Sequence, residues 1–257
     1  GFHARLGLTL ADGAGKHYDA RTSQMLLADD GWRARVVDAI GTLGLDYDGL
    51  EIALPALADA SARLPLQSLV RDVSEAIRPR IQLGLFVPPS TKIPSDLPGG
   101  DAYHLPFLVP WVDRVRVMTL DFSCCGAGPG PTIDSGWAVD AAALAIGSGA
   151  KSLDVAVPLY GYDFGPGTET PIGFSEAHDL QVFYRADVKR EANGVLHFAY
   201  DDRVKGHHEI WYDDTISTVR TLEAWQPEAL PAEVGVVYYG LGAEDPALWL
   251  SLGRVAK

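Results

Sequence analysis

Tyr47-Asp48-Gly49-Leu50-Glu51-Ile52-Ala53-Leu54-Pro55 is the stretch that decides the fold. Its apolar run from Leu50 to Leu54 stands between a glycine and a proline, which predicts a short β-strand. Side chains on a strand alternate between its two faces, so Glu51, Ala53 and Pro55 share one face. Glu51 therefore supplies the only carboxylate on that face of the predicted strand.

Five similar runs occur at Arg5 to Leu10, Ile81 to Val87, Val115 to Asp121, Leu153 to Tyr160 and Val234 to Leu241. Between the strands, apolar residues recur at helical spacing: Val36, Val37, Ile40 and Leu43 in one stripe, and Leu66, Leu69, Val70, Val73 and Ile77 in another. Asp30 is placed to cap the first of these helices, and Asp245 with Pro246 to open a short last helix. Six strands that alternate with helices predict an α/β fold with a mainly parallel sheet.

The region from Gly165 to Ile210 departs from this alternation. Polar and apolar residues alternate over Gln181 to Tyr184, Val195 to Tyr200 and Glu209 to Tyr212, and Asn193-Gly194 is a hairpin turn signal. We predict an antiparallel insertion there, which divides the chain into residues 1–164, 165–210 and 211–257.

Composition and charge exclude several classes of protein. The 257 residues are 47% hydrophobic and 21% charged, which describes a globular chain with one large domain or two small ones. No apolar run approaches the 18 or more residues that a membrane-spanning helix needs. With 21 Lys and Arg against 34 Asp and Glu, the net charge of −13 would repel phosphates, so nucleic acid is excluded as a partner.

The two cysteines are neighbours, Cys124 and Cys125. They cannot join distant segments, and they lack the spacing of a zinc-binding cysteine set. Because a bond between adjacent cysteines departs from ordinary disulfide geometry, we expect two free thiols in a loop.

Five motifs, in order along the chain, resemble those of family 18 glycoside hydrolases, the chitinase-like barrels. Asp48-Gly49 with Glu51 looks like the fourth-strand motif of the family, an Asp-Gly pair that leads into alternating acidic residues ending in a catalytic Glu. Val117-Met118-Thr119-Leu120-Asp121-Phe122 is similar to the sixth-strand Met-x-Tyr-Asp motif, with Leu120 in place of its Tyr, and Val157-Pro158-Leu159-Tyr160-Gly161 resembles the seventh-strand Pro-x-Tyr-Gly motif. Trp211-Tyr212-Asp213-Asp214 looks like the Tyr-Asp-Asp motif that precedes the last helix. Tyr239-Gly240-Leu241-Gly242, with Glu244-Asp245-Pro246 and Trp249, resembles the eighth-strand Trp-x-Leu-Gly motif and the Glu-Asp-Pro that follows it. The resemblance implies a (β/α)8 TIM-barrel-like fold whose antiparallel insertion lies between the seventh and eighth strands.

The same resemblance makes Arg5 to Leu10 the third strand of the family, so strands one and two would lie upstream of Gly1. The chain opens on Gly1 rather than Met. We therefore expect either a processed form or part of something longer.

This chain lacks two of the acidic residues that the fourth-strand motif of the family contains. The resemblance places the general acid Glu of the family at Pro55, and the Asp that orients the substrate's N-acetyl group at Ala53. Neither side chain can carry a proton. Glu51, two residues or ~7 Å deeper in the strand than Ala53, keeps its carboxylate and is the candidate catalytic residue. If Glu51 is buried, it needs a hydrogen-bond partner or a basic side chain.

What remains is a candidate binding surface, with Asp48, Met118, Asp121, Tyr160 and Tyr239 as substrate-binding residues. We expect these residues and Glu51 around the carboxyl-terminal half of the strands, where the loops of such barrels build the site. Tyr239 replaces the Trp that floors the sugar site in the family, and a Tyr face can stack on a pyranose. Each of these binding roles has a structural alternative. A Tyr on an apolar strand can belong to the core, and Asp121 can cap a turn.

Other patterns indicate neither a metal nor a cofactor. His207 and His208 are adjacent, so on a strand they point to opposite faces and indicate a solvated hairpin. The stretch Gly126 to Gly130 contains a proline and is not followed by Lys-Ser/Thr, so it predicts a flexible rim loop rather than a phosphate loop. The chain also has no Gly-x-Ser-x-Gly nucleophile motif.

Three hypotheses follow. The first is an inactive chitinase-like domain that binds a glycan containing N-acetylglucosamine, of the chitin or peptidoglycan type, or a protein partner. The second is an active glycosidase that uses Glu51 or a loop carboxylate as its general acid, and the third is a structural or interaction domain of a larger protein. The resemblance implies an extracellular or cell-envelope location.

Overall fold

The computed structural model describes residues 4–11, 19–43, 47–54, 57–95, 97–225 and 234–255. The strands are β1 (Arg5–Leu8), β2 (Gly49–Ile52), β3 (Gln82–Val87), β4 (Arg114–Val117), β5 (Leu153–Pro158), β6 (Gly161–Gly165), β7 (Thr168–Ile172), β8 (Lys189–Arg190), β9 (Leu196–Asp202), β10 (Gly206–Tyr212) and β11 (Gly235–Tyr239). The helices are α1 (Ala20–Ala28), α2 (Asp30–Leu43), α3 (Arg63–Ile77), α4 (Leu105–Leu108), α5 (Ser135–Gly147), α6 (Phe174–Tyr184), α7 (Thr215–Ala224) and α8 (Leu248–Val255).

The six strands predicted from the sequence form one sheet in the order β1-β2-β3-β4-β5-β11. The predicted parallel pairing of Leu50–Leu54 with Ile81–Val87 is confirmed, with Leu50 opposite Leu83 and Ile52 opposite Leu85. β1, β4 and β5 continue the parallel pairing on either side. The chain therefore has a TIM-barrel-like α/β fold, with each strand one to three residues shorter than its sequence pattern.

The described residues separate into two compact units. The first holds residues 4–118, 140–155 and 234–235, and the second holds residues 119–139, 156–225 and 236–255. In the first unit, α3 buries the stripe that its sequence predicts, Leu66, Leu69, Val70, Val73 and Ile77. Each apolar side chain of this size contributes about 1.5–3 kcal/mol when it is fully buried.

The second unit contains an antiparallel sheet of five strands in the order β7-β6-β10-β9-β8. One face of β9 and β10 buries Phe198, Ile210 and Tyr212 against Phe174 and Tyr184 of α6. The predicted insertion is therefore present, but the alternation at Gln181 to Tyr184 belongs to helix α6 and not to a strand. Four residues are too few to separate a period of 2.0 from one of 3.6.

The predicted helix caps need one correction. Asp29, not Asp30, accepts a hydrogen bond from the backbone N–H of Trp32 at 2.8 Å, and Asp30 is already the first residue of α2. Asp245 accepts from the N–H of Ala247 at 3.0 Å in the turn before α8. No helix in the described parts of the chain has the length and apolar character needed to cross a bilayer.

Candidate functional site

Two tyrosine hydroxyls converge on one carboxylate oxygen in the second unit. Tyr160 and Tyr162 each donate to Oδ1 of Asp121, at 2.6 and 2.8 Å. Tyr160 lies in the turn after β5, and Tyr162 is the second residue of β6. We call Asp121, Tyr160, Tyr162 and Tyr239 the tyrosine–aspartate cluster.

The conformation of Asp121 suits this position. It follows β4 by four residues and has a φ of 62°, in the left-handed region that Asp adopts more readily than most residues. Its neighbour Phe122 donates its backbone N–H to the carbonyl of Thr132 at 2.9 Å. The loop thus fixes the carboxylate of Asp121, and among the described residues Oδ2 accepts no hydrogen bond.

Burial keeps both tyrosines protonated. Burial raises the pKa of Tyr160, and the hydrogen bond to the Asp121 carboxylate raises it further. The same two causes, in the same order, raise the pKa of Tyr162. Both hydroxyls therefore remain donors at neutral pH.

Tyr239 completes the cluster and is its most accessible ring. Its centroid lies 6.4 Å from that of Tyr160, and the side chain is 46% exposed. The next residue, Gly240, has a φ of 87°, and a Cβ there would lie 3.0 Å from Cδ1 of Tyr160. Glycine at this position lets the β11 turn approach the Tyr160 ring closely.

Glu51 lies in the first unit, in a buried ion-pair network. Its Oε1 accepts from Arg5 at 2.8 Å and from Arg116 at 3.0 Å, and its Oε2 accepts from Nε of Arg116 at 3.1 Å. Arg116 also pairs with Asp154 at 2.7 Å. Arg5 and Arg116 therefore both supply the basic partner that a buried Glu51 requires.

The backbone of β3 makes room for this carboxylate. Gly84 stands opposite Glu51 in the sheet register, and a Cβ on Gly84 would lie 1.9 Å from Oε2 of Glu51. Both oxygens of the Glu51 carboxylate accept from guanidinium groups, so neither is free to contact the oxygen of a leaving group. These contacts favour a structural role for Glu51.

Asp48 and Met118 also lie in the first unit. Asp48 directly precedes β2 and accepts from the backbone N–H of Ala4 at 2.7 Å, so it lies at the amino end of its strand rather than at the expected carboxyl end. Met118 follows β4 and donates its N–H to the carbonyl of Val87 at 3.0 Å. The structure thus brings Asp121, Tyr160 and Tyr239 together, and places Asp48 and Glu51 in contacts of their own.

Comparison with known proteins bears on the fold. A chitinase from Chromobacterium violaceum ATCC 12472 superposes with a TM-score of 0.82 at 22% identity, over 98% of this chain and 79% of that one. The spore cortex-lytic enzyme SleL of Bacillus cereus gives a TM-score of 0.81 at 20% identity, over 97% of this chain and 59% of that one. The fold is chitinase-like.

Sequence comparison adds one curated relative. It is the "Putative sporulation-specific glycosylase YdhD" of Bacillus subtilis (strain 168), 25% identical over 227 residues. The match covers 84% of this chain but 51% of the relative, so the chain spans about half of the relative's length. No family model matches the chain.

Of the two fourth-strand positions at which the resemblance expects an acidic residue, the structure describes one, Ala53. Ala53 is half-buried and donates its N–H to the carbonyl of Leu8 at 2.9 Å. Pro55 lies outside the described residues. The Leu120 side chain, which replaces the Tyr of the sixth-strand motif, is buried in the second unit.

Sequence reasoning missed three elements around the cluster. Cys124 and Cys125 form a disulfide, so the expectation of free thiols was wrong. Cys124 packs against Tyr162 and Phe164, which shows that the loop after Asp121 is anchored to β6. Tyr162 follows the Pro-x-Tyr-Gly motif directly and could have been found from strand alternation, because it shares a face with Phe164 and not with Asp163.

The adjacent histidines take separate roles on β10. His207 is largely exposed and pairs with Asp201 at 2.8 Å, whereas His208 is buried and pairs with Asp163 at 2.8 Å. Glu209 accepts from the indole N–H of Trp211 at 2.6 Å. The three side chains therefore do not converge on one point.

Proposed function

We propose that the chain binds a glycan containing N-acetylglucosamine, of the chitin or peptidoglycan type, and that it does so at the tyrosine–aspartate cluster without hydrolysing it. The observation that carries this proposal is the convergence of the hydroxyls of the half-buried Tyr160 and the buried Tyr162 on Asp121, beside the exposed ring of Tyr239. Aromatic faces stack on the apolar faces of pyranose rings, while a fixed carboxylate accepts hydrogen bonds from sugar hydroxyl or amide groups.

The absence of an acid at the fourth strand supports a binding role. A general acid must lie within about 2.6–3.2 Å of the leaving oxygen, directly or through one water. By the resemblance, that acid position is Pro55 and the orienting Asp position is Ala53. Glu51 is engaged by Arg5 and Arg116. General acid catalysis alone is worth about 10²–10⁴ in rate, so we infer that hydrolysis is lost.

The relatives indicate the class of ligand. One is named a chitinase, another a spore cortex-lytic enzyme and a third a sporulation-specific glycosylase. We therefore propose an N-acetylated polymer of a cell wall or envelope as ligand, and a location outside the cell or in its envelope. Binding should depend little on salt, because stacking and hydrogen bonds to neutral hydroxyls do not rely on long-range charge.

Isothermal titration with N-acetylglucosamine oligomers, followed by mass spectrometry of the same mixture, tests the proposal. We expect binding and no shorter products. Products that disappear in a Glu51→Gln variant shown by circular dichroism to be folded would establish an active glycosidase instead. Failure to bind any oligomer would leave an interaction domain.

A gain-of-function variant tests the inferred loss of catalysis. The double substitution Ala53→Asp with Pro55→Glu restores both carboxylates that the resemblance places in the row. Product release by this variant, with none from the parent chain, would support an ancestral hydrolase that has lost its acid. Ala53→Asp alone is the matched control, because it restores the orienting group without the acid.

A further inference from the structure

The disulfide between Cys124 and Cys125 lies in the loop that carries Asp121. Asp121 accepts hydrogen bonds from Tyr160 and Tyr162, so this loop forms part of the tyrosine–aspartate cluster. A bond between neighbouring residues joins no distant segments, and it removes little entropy from the unfolded chain because the loop that it closes is short. The position of the disulfide therefore indicates a local role in the loop.

The two cysteines belong to a turn that begins at Asp121. The backbone N–H of Cys124 donates to the carbonyl of Asp121 at 3.2 Å, and the N–H of Ala127 donates to the carbonyl of Cys124 at 3.3 Å. Cys125 has a φ of 63°, in the left-handed region that residues with a Cβ avoid unless, like Asp and Asn, they have a short polar side chain. Reduction removes the covalent link that restrains Cys125 in this conformation.

Both cysteines also connect the turn to the β6–β7 hairpin. Cys124 is buried against Tyr162, whose hydroxyl donates to Asp121 at 2.8 Å. The backbone N–H of Cys125 donates to the carboxylate of Glu169. A change in the turn therefore reaches the Asp121 carboxylate by two routes, along the backbone and through Tyr162.

A small thiol can reach the disulfide, because Cys125 is exposed while Cys124 is buried. The thiolate of a dithiol reductant attacks Sγ of Cys125, the bond between the two cysteines breaks, and Cys124 leaves and takes up a proton. The second thiolate of the reductant then attacks the mixed disulfide and releases Cys125, which also takes up a proton. Two electrons and two protons pass from the reductant, which becomes a disulfide, to the two cysteines.

We propose that the disulfide of Cys124 and Cys125 is a redox switch for the tyrosine–aspartate cluster: the oxidised turn holds Asp121 in the geometry that binds the ligand, and the reduced turn does not. This inference rests on the proposed function. Disulfides persist outside the cell and in its envelope, whereas the cytosol keeps thiols reduced. The switch thus restricts glycan binding to the compartment proposed for the chain.

Titration calorimetry of the N-acetylglucosamine hexasaccharide with the oxidised chain, and with the chain reduced by dithiothreitol, tests the switch. Reduction should weaken binding about tenfold, and reoxidation should restore it. A free-thiol assay confirms the redox state of each sample. EDTA is present throughout, because the two sulfurs and the Glu169 carboxylate lie within 4.8 Å of one another and a trace metal would bind there.

Cys125→Ser is the matched variant, because it prevents the disulfide and keeps the buried Cys124 side chain. It should bind like the reduced parent with or without dithiothreitol, which also shows that the reductant itself does not affect the titration. Circular dichroism confirms that the variant is folded. Equal affinity of the oxidised and reduced parent, or oxidised-like affinity of Cys125→Ser, would overturn the switch alone.

Tryptophan fluorescence gives a readout that needs no ligand. The ring of Trp137 lies 5.2 Å from that of Phe122, the residue after Asp121, so reduction should change the emission of Trp137. Since the chain has six tryptophans, the difference between the parent and Trp137→Phe isolates this signal. Unchanged Trp137 emission on reduction would overturn the switch alone. Failure of the oxidised chain to bind would overturn the proposed function and the switch with it.

Discussion

At the scale of single residues, the role of Glu51 is set by its ion-pair partners. The sequence places a carboxylate on the inner face of β2 and predicts that it needs a basic neighbour. It cannot name Arg5 and Arg116, because these lie 46 and 65 positions away along the chain. Pairings of that separation depend on the register between strands, which the sequence pattern leaves open.

Glu51→Gln should therefore destabilise the protein. Breaking a buried ion pair leaves an uncompensated charge and costs about 3–5 kcal/mol. Urea denaturation measures the change in the free energy of unfolding. Glu75→Gln is the matched control, since Glu75 is exposed on α3. A Glu51→Gln variant as stable as its parent would contradict the structural role.

Asp213 is a second residue whose environment sets a measurable property. It is buried in the Tyr-Asp-Asp motif, neither carboxylate oxygen has a hydrogen-bond partner among the described residues, and burial raises its pKa to about 6. Because this pKa lies above the ordinary value of 3.8, the folded state binds the proton more tightly than the unfolded state. The resulting stabilisation is complete below pH 3.8 and is lost as the pH rises through 6.

From pH 4.5 to pH 7.5, the parent should lose about 2 kcal/mol of unfolding free energy through Asp213. Asp213→Asn should lack this component, because Asn does not ionise. Urea denaturation of both proteins at the two pH values gives the difference. Identical pH dependence of the two proteins would show that Asp213 titrates normally.

At the scale of elements, the sequence predicts which parallel strands exist and their order in the sheet. It does not predict the residue at which each strand ends. The run Val115 to Asp121 predicts a strand that reaches Asp121, but β4 ends at Val117. Asp121 instead stands in a loop at positive φ, where it can accept from two tyrosines. The pattern of apolar residues does not indicate the residue at which a strand ends.

Gly84 in β3 shows an element-level constraint that patterning also misses. Gly84→Ala should destabilise the protein by about 1–3 kcal/mol, because the added Cβ would overlap the Glu51 carboxylate. Gly7→Ala in β1 is the matched control, since a Cβ there meets no atom within 4 Å. Thermal or urea unfolding of the two variants measures the difference. Equal stability of both would show that Glu51 moves aside at no cost.

At the scale of the whole molecule, motif order predicts the chitinase-like fold, and the described residues confirm it. The candidate site is harder to predict. Asp121, Tyr160 and Tyr239 were found through the motifs, whereas Tyr162 and the disulfide of Cys124 and Cys125 were not. The disulfide depends on how the loop after β4 packs on β6, which no local pattern encodes, whereas strand alternation would have found Tyr162.

The most direct test of the central proposal is the Kd of the N-acetylglucosamine hexasaccharide for Asp121→Asn, measured by titration calorimetry against the parent. Asn tolerates the positive φ of this position, so the fold should be kept. Loss of the charged acceptor should weaken binding about tenfold or more, while Asp187→Asn, an exposed control in the same unit, should bind like the parent. Parent-like affinity of Asp121→Asn would contradict glycan binding at the tyrosine–aspartate cluster.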